Sequence, residues 1–402
     1  MTEIGGYADP GYQGVREAFA RNFDEHGEIG AGFALYVDGL KVVDLWGGTA
    51  DRNAGTPYGE DTLQLVFSTT KGATAACANL LADRGELDLD LPVAHYWPEF
   101  AQAGKERIPV RFLLCHKAGL PTFDATLGVD DVVAWDPVVE ALAAQEPYWE
   151  PGSTHGYHAV TYGYLVGEVV RRVTGKSLGT FFHDEFAAPL DLEFWIGLPE
   201  DQEPRVAPLV GGLGISEAEA LSDEASPLSA ILGPDSLLVR ALSMNGALAG
   251  FEHGFNTPSL HRAEMPAANG ITNARSLARF YAALIGTVDG GPSEPVLTPA
   301  QVDKARTRQT EGPDRVLSFP GIDVVSTMGL GFWIASEFAP FGGAGAFGHY
   351  GAGGSVGFAD PDHSIAGGYV MNKMVQGLGS DPRSSGLIQA SYQAAGRPLT
   401  YA

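Results

Sequence analysis

Of 402 residues, only Cys77 and Cys115 are cysteine. Two cannot build a disulfide framework, and they lack the CxxC spacing of a structural zinc site. Positive charge is scarce as well: 25 Lys and Arg stand against 49 Asp and Glu, a net charge of −24. That balance excludes a protein whose affinity rests on neutralising a nucleic-acid backbone, and it disfavours an anionic membrane surface. No apolar run approaches the length that spans a bilayer. The opening MTEIGGYADPGY has neither a basic start nor an apolar core, so no secretory leader is expected and the cytoplasm is the default location. No repeat of solenoid length is visible. What the chain does have is core material, with 45% apolar and 10% aromatic residues. Its length suggests two or three domains, or one large domain carrying an insertion.

Residues 31–48 read as two strands around Asp38-Gly39, a favoured hairpin turn. Residues 68–84 read as a helix, with Ala73, Ala76, Cys77, Leu80 and Leu81 at helical spacing and Gly85 as its stop. The middle of the chain has helical patterns (VVEALAAQE, TYGYLVGEVVRRVTG) broken by Pro- and Gly-rich turns. From about 199 to 240 it becomes acidic and irregular. After the helical pattern NARSLARFYAALIG come three short Gly-rich, β-prone segments, then a last helix, GLIQASYQAAG. The expected organisation is a sheet domain from 1–90 and 265–402. A mainly helical part is expected from 91–264, with a lid or insertion at 199–265.

Three segments could carry chemistry. Ser68-Thr69-Thr70-Lys71 begins a helix, and residues three apart share a helix face, so the Lys71 amine can reach the Ser68 hydroxyl. A serine needs such a base to become a nucleophile, and burial lowers a lysine pKa toward neutrality. Tyr157, in Gly156-Tyr157-His158-Ala159, sits just before a helix whose stripe includes Tyr162, Leu165, Val166, Val169 and Val173. Beside a cationic lysine its pKa would fall, making it a base. Third is the Gly-rich strand Phe347-Gly348-His349-Tyr350-Gly351-Ala352-Gly353-Gly354-Ser355. Its glycines imply that something approaches the backbone closely, and a substrate carbonyl is one such group.

In order and spacing these segments resemble the serine β-lactamases, penicillin-binding proteins and family VIII esterases, with their Ser-x-x-Lys, Tyr and Lys-Thr-Gly-type motifs. The resemblance is to the class C branch, runs from about residue 12 to 395, and includes the loop FLLCHKAGLP at 112–121. It implies an α+β fold: an antiparallel sheet flanked by helices, with an inserted all-helical domain. It also implies Ser68 as nucleophile, with Lys71 and Tyr157 sharing the acid and base roles. The backbone N–H groups of Ser68 and Ala352 would form the oxyanion hole. His349, Tyr350, Gly351, His158 and Trp333 would line the substrate site, and no metal or cofactor is implied.

Two departures narrow the substrate. Ala159 stands where β-lactamases carry an Asn that holds an amide side chain. His349 replaces the lysine of the third motif and is largely neutral at pH 7. β-Lactams and peptidoglycan stems carry a carboxylate that wants a fixed cation, whereas a neutral ester does not. The expectation is therefore a serine carboxylesterase acting on short-chain esters. The alternatives on the same fold are a β-lactamase, D-amino-acid peptidase, amide hydrolase or acyltransferase, or a non-catalytic penicillin-binding-like protein. The sequence leaves the oligomeric state open.

Other motifs are decoys on this reading. Gly353-Gly354-Ser355-Val356-Gly357 spells a nucleophile elbow but runs into Asp360-Pro361, not a helix. Gly343–Gly348 spells a dinucleotide loop without its strand and helix. His155 and His158 lack a third metal ligand, and Cys115-His116 reads as an inert loop thiol. Trp46, Trp149, Trp195 and Trp333 read as packing, with Trp149 and Trp333 able to border a pocket.

Overall fold

The computed structural model describes residues 2–211, 233, 236–248 and 254–401. Residues 212–232, the centre of the expected lid, lie outside the described residues. The N-terminal part supplies strands β1 (Ile4–Ala8), β2 (Gly30–Val37), β3 (Leu40–Asp51) and β4 (Thr56–Pro57). Three two-residue strands, β5 (Gln64–Leu65), β6 (Phe194–Trp195) and β7 (Ile271–Thr272), form a separate small sheet in the order β5-β7-β6. The last third adds β8 (Trp333–Ile334), β9 (Phe347–Tyr350), β10 (Val356–Asp360) and β11 (Ile365–Met371). The main sheet runs β1-β3-β2-β11-β10-β9-β8, antiparallel throughout, with β4 paired to β3. The fold is thus the expected α+β arrangement.

The principal helices are α1 (Gln13–Glu25), α2 (Lys71–Asp83), α3 (Thr161–Thr174), α4 (Ala274–Ile285) and α5 (Pro382–Ala394). All eight residues of β2 are buried. Strand side chains alternate between faces, so helices must cover both sides of the sheet. Helix α4 packs on β2, β10 and β11, while α1 and α5 pack on each other and reach β3 and β11. Asp38 (φ 50°) and Gly39 (φ 78°) turn β2 into β3 as expected, both in the left-handed region this tight turn requires.

Helix α2 has no exposed face: every residue from Lys71 to Leu81 is buried. Its small side chains (Gly72, Ala73, Ala75, Ala76, Ala78) let neighbours pack all round it. The glycines of β10 and β11 admit a helix: a Cβ on Gly357 would lie 2.3 Å from the Tyr281 ring, and one on Gly368 2.8 Å from the Ala274 carbonyl oxygen. Of the β-prone segment 326–335, only Trp333–Ile334 form a strand, and Met328 makes an isolated bridge to Trp333. Among the described residues no helix is long and apolar enough to cross a membrane.

Candidate active site

The site begins at a strained corner. β5 leads into Phe67, whose φ of 44° and ψ of −130° are unusual for a residue with a side chain and cost about 1–3 kcal/mol. Ser68–Thr70 then make one 3₁₀ turn that runs into α2. The corner is pinned by the chain entering β7, the neighbour of β5 in the small sheet. Val66 N–H donates to Gly270 O (2.9 Å), and Gly270 N–H donates to Thr70 Oγ1 (2.8 Å). Ser68 is left half-buried, while Thr69 and Thr70 are buried.

One helical turn on, the Lys71 side chain is fully buried. Its Nζ lies 3.0 Å from Ser68 Oγ, 2.6 Å from Ala159 O and 2.9 Å from Ala267 O. Burial holds its pKa well below the usual lysine value. A neutral amine has two hydrogens and one lone pair. The two carbonyls can only accept, so they take the hydrogens, and the remaining tetrahedral position faces the serine hydroxyl. Thr74 Oγ1 donates to Pro266 O, and Asn269 Nδ2 donates to Leu260 O (2.8 Å) and Ala263 O (2.5 Å). These bonds fix the segment that carries the Ala267 carbonyl.

Tyr157 lies across the amine, with Nζ 4.9 Å from its ring centroid. Its phenol pKa is not lowered as expected. Burial raises it above the usual tyrosine value, a hydrogen bond with the Ser68 side chain opposes that rise, and the charge of Asp314 adds to it. The expectation assumed a cationic lysine, but the buried Lys71 is held toward its neutral form.

The third segment builds one wall. The His349 ring stacks on Trp333 (centroids 4.3 Å, 20°), and Tyr157 lies 5.7 Å from Trp333 and 6.1 Å from His349. His349 Nδ1 is 2.6 Å from the Tyr350 carbonyl oxygen. A carbonyl cannot donate, so Nδ1 carries the hydrogen and Nε2 bears a lone pair, with no partner among the described residues. Burial, then the nearby Lys71, hold this imidazole well below its usual pKa, so it is neutral at pH 7.

Not every predicted contact joins the wall. Tyr350 points the other way, stacking on Phe341 and donating to Pro340 O (3.1 Å), because adjacent strand residues face opposite sides. His158 is fully buried with both ring nitrogens taken: Nδ1 donates to Gly156 O (2.7 Å) and Nε2 accepts from Leu120 N–H (2.9 Å). Burial takes its pKa down to about 3, and it offers a substrate no free atom. Gly351 contributes closeness instead of contact, since a Cβ there would stand 2.1 Å from Val66 O.

That close approach sets the turn after β9 against the Ser68 corner. Ser355, the decoy nucleophile, is the clasp: its buried Oγ donates to Val66 O (2.9 Å) and lies 3.0 Å from Thr69 Oγ1. Among the described residues, neither Ser68 N–H nor Ala352 N–H has a hydrogen-bond acceptor. On its other side the turn rests on Arg383. Its Nη2 donates to Gly353 O (2.7 Å), and the guanidinium pairs with Glu28 (3.0 Å) and Asp381 (2.8 Å). Removing one partner of a buried ion pair strands the other charges. Arg383→Met is therefore expected to cost about 3–5 kcal/mol of stability. A urea midpoint unchanged from the parent protein would contradict this.

Sequence reasoning missed Asp314, the Ala267 carbonyl, Asn269 and Arg383. A backbone carbonyl has no sequence signature, and Asp314 and Arg383 act on segments about 157 and 30 residues away along the chain. Cys115 is buried with its thiol pushed up to about 12, as an inert thiol requires.

A family profile described as Beta-lactamase matches residues 15–389. The chain is 36% identical over 382 residues to the esterase/beta-lactamase LipL of Mycobacterium tuberculosis, covering 93% of this chain and 84% of that protein. It is similar to the crystal structure of a family VIII carboxylesterase, with a TM-score of 0.85 and 36% identity over 98% of this chain and all of the other. It is also similar to a penicillin-binding protein homolog from Caulobacter crescentus. There the TM-score is 0.82 and the identity 38%, over 98% of this chain and all of that one.

Proposed function

The chain belongs to the beta-lactamase family, and on that premise we propose that it is a serine carboxylesterase that hydrolyses short-chain esters through an acyl-Ser68 intermediate. The observation that carries the reading is the Lys71 amine, its hydrogens spent on Ala159 O and Ala267 O and its free position facing Ser68 Oγ at 3.0 Å. Ser68 donates its proton to Nζ as its oxygen attacks the ester carbonyl. The oxyanion is held by the Ser68 and Ala352 N–H groups, each worth about 3 kcal/mol. The Tyr157 phenol gives its proton to the departing alkoxide and is reprotonated from the Lys71 ammonium. Water then attacks the acyl group by the same route in reverse, releasing the acid and restoring the Ser68 hydroxyl.

The substrate preference rests on charge. His349 is a neutral acceptor where the third motif usually has a cation, Arg383 is committed to Glu28 and Asp381, and Ala159 has no carboxamide. A carboxylate-bearing substrate forgoes a charged hydrogen bond worth about 1.5–3 kcal/mol, about 10–150-fold in kcat/KM. The test compares p-nitrophenyl acetate and butyrate with nitrocefin. The esters are expected to be turned over with the higher kcat/KM, and faster turnover of nitrocefin would reverse the assignment.

A further inference from the structure

Asp314 is a fully buried carboxylate in the loop between the short helix Pro299–Ala305 and β8. Four donors converge on it. Oδ1 accepts from Tyr157 N–H (3.0 Å), Val316 N–H (2.9 Å) and Leu317 N–H (2.9 Å), and Oδ2 accepts from Ser326 Oγ (2.6 Å). A second strap runs alongside, where Arg315 N–H donates to His155 O (3.0 Å). His155 Nε2 in turn donates to Ser326 O (3.1 Å). The same carboxylate oxygen therefore holds the 314–317 turn closed and grips the main chain of Tyr157. The Tyr157 segment has no regular secondary structure of its own before α3 starts at Thr161. With no helix or strand to fix its backbone, the aim of the phenol depends on groups that bind that backbone from outside.

We propose that Asp314 is a positioning residue for the acyl-transfer reaction, aiming the Tyr157 phenol at Ser68 and Lys71 by holding the Tyr157 main-chain N–H. This rests on the serine-hydrolase reading above. The carboxylate does not touch substrate, and it acts through Tyr157 alone. Misplacing a catalytic group by about 1 Å costs about 100-fold in rate. Asp314→Ala is therefore expected to lower kcat by about 100-fold, with KM changing by less than about threefold. Asp314→Asn keeps an oxygen for the three N–H groups, and Ser326 can turn its hydroxyl to accept from the new amide. This variant is expected to recover most of the rate that Asp314→Ala loses. Asp314→Glu keeps the charge but moves the oxygens by a methylene, and is expected to be slower than Asp314→Asn.

The deciding experiment is a double-variant cycle in p-nitrophenyl butyrate hydrolysis, with folding of each variant checked by circular dichroism. If Asp314 acts through Tyr157, Asp314→Ala adds nothing to the loss already caused by Tyr157→Phe. Multiplying losses overturn the proposal, as does a folded Asp314→Ala with kcat near that of the parent. Should Asp314→Ala not fold, the order of Asp314→Asn and Asp314→Glu decides, and Glu faster than Asn overturns it. Fluorophosphonate labelling separates the two layers. A parent protein left unlabelled at Ser68 defeats the serine-hydrolase reading itself, whereas multiplying losses in the cycle, in a parent that is labelled, defeat only the role of Asp314.

Discussion

Ser68→Ala is expected to reduce hydrolysis of p-nitrophenyl butyrate by about 10⁵–10⁶-fold, the scale seen when a nucleophile is removed from a preorganised serine site. The substitution removes only the oxygen proposed to attack. The Phe67 corner, the 3₁₀ turn and the N–H groups of Ser68 and Ala352 are backbone features and remain. A residual rate from the oxyanion hole and binding is therefore expected, along with unchanged folding. The control is Ser355→Ala. Its hydroxyl is buried against Val66 O and Thr69, out of reach of any substrate. Losing that clasp costs about 1 kcal/mol and loosens the turn, but leaves the nucleophile in place. Intact mass after brief exposure to an activated ester locates the acyl group. A dead Ser355→Ala beside an active Ser68→Ala would overturn the assignment.

Lys71→Arg is expected to lower kcat/KM by about 10²–10⁴-fold, the usual worth of a positioned base. A guanidinium stays protonated throughout the accessible pH range, so it cannot accept the serine proton. The parent protein should show the complementary behaviour. On the proposed mechanism its active form carries neutral Lys71, whose pKa is held below the usual lysine value by burial. Activity is therefore present above that pKa and lost as pH falls through it. The Tyr157 phenol, raised above its usual pKa, stays a proton donor across the same range. A pH profile of kcat/KM checks both. Recovery of Lys71→Arg at high pH, or a parent rate that falls as pH rises from 5 to 8, would contradict the role of a neutral amine.

The chain spelled out its local elements well. Asp38-Gly39 gave the hairpin, the 3.6-residue period gave α2, α3 and α4, and Gly85 gave a helix stop. The contact between Ser68 and Lys71 was equally legible, because it depends on one helical turn and on nothing distant. Errors arose where a residue's role depended on what packed against it. Tyr157 was expected to lose its proton readily beside a cation, but burial of both groups reverses the electrostatics. His158 looked like a lining residue because it adjoins Tyr157, yet backbone groups of Gly156 and Leu120 occupy its ring. The glycines near His349 were read as room for a substrate, and at Gly351 the space belongs to Val66 and Ser355.

Residue identities and their spacing along the chain were enough to bring hydroxyl and amine together, which follows from the geometry of one helical turn, and the class of fold was what the resemblance of three ordered motifs implied. Protonation states, the direction each side chain faces, and the support given by Asp314, Arg383 and the Ala267 carbonyl came only with the tertiary structure. They are set by desolvation and by hydrogen bonds between segments far apart in sequence, and neither leaves a local trace in the order of the amino acids.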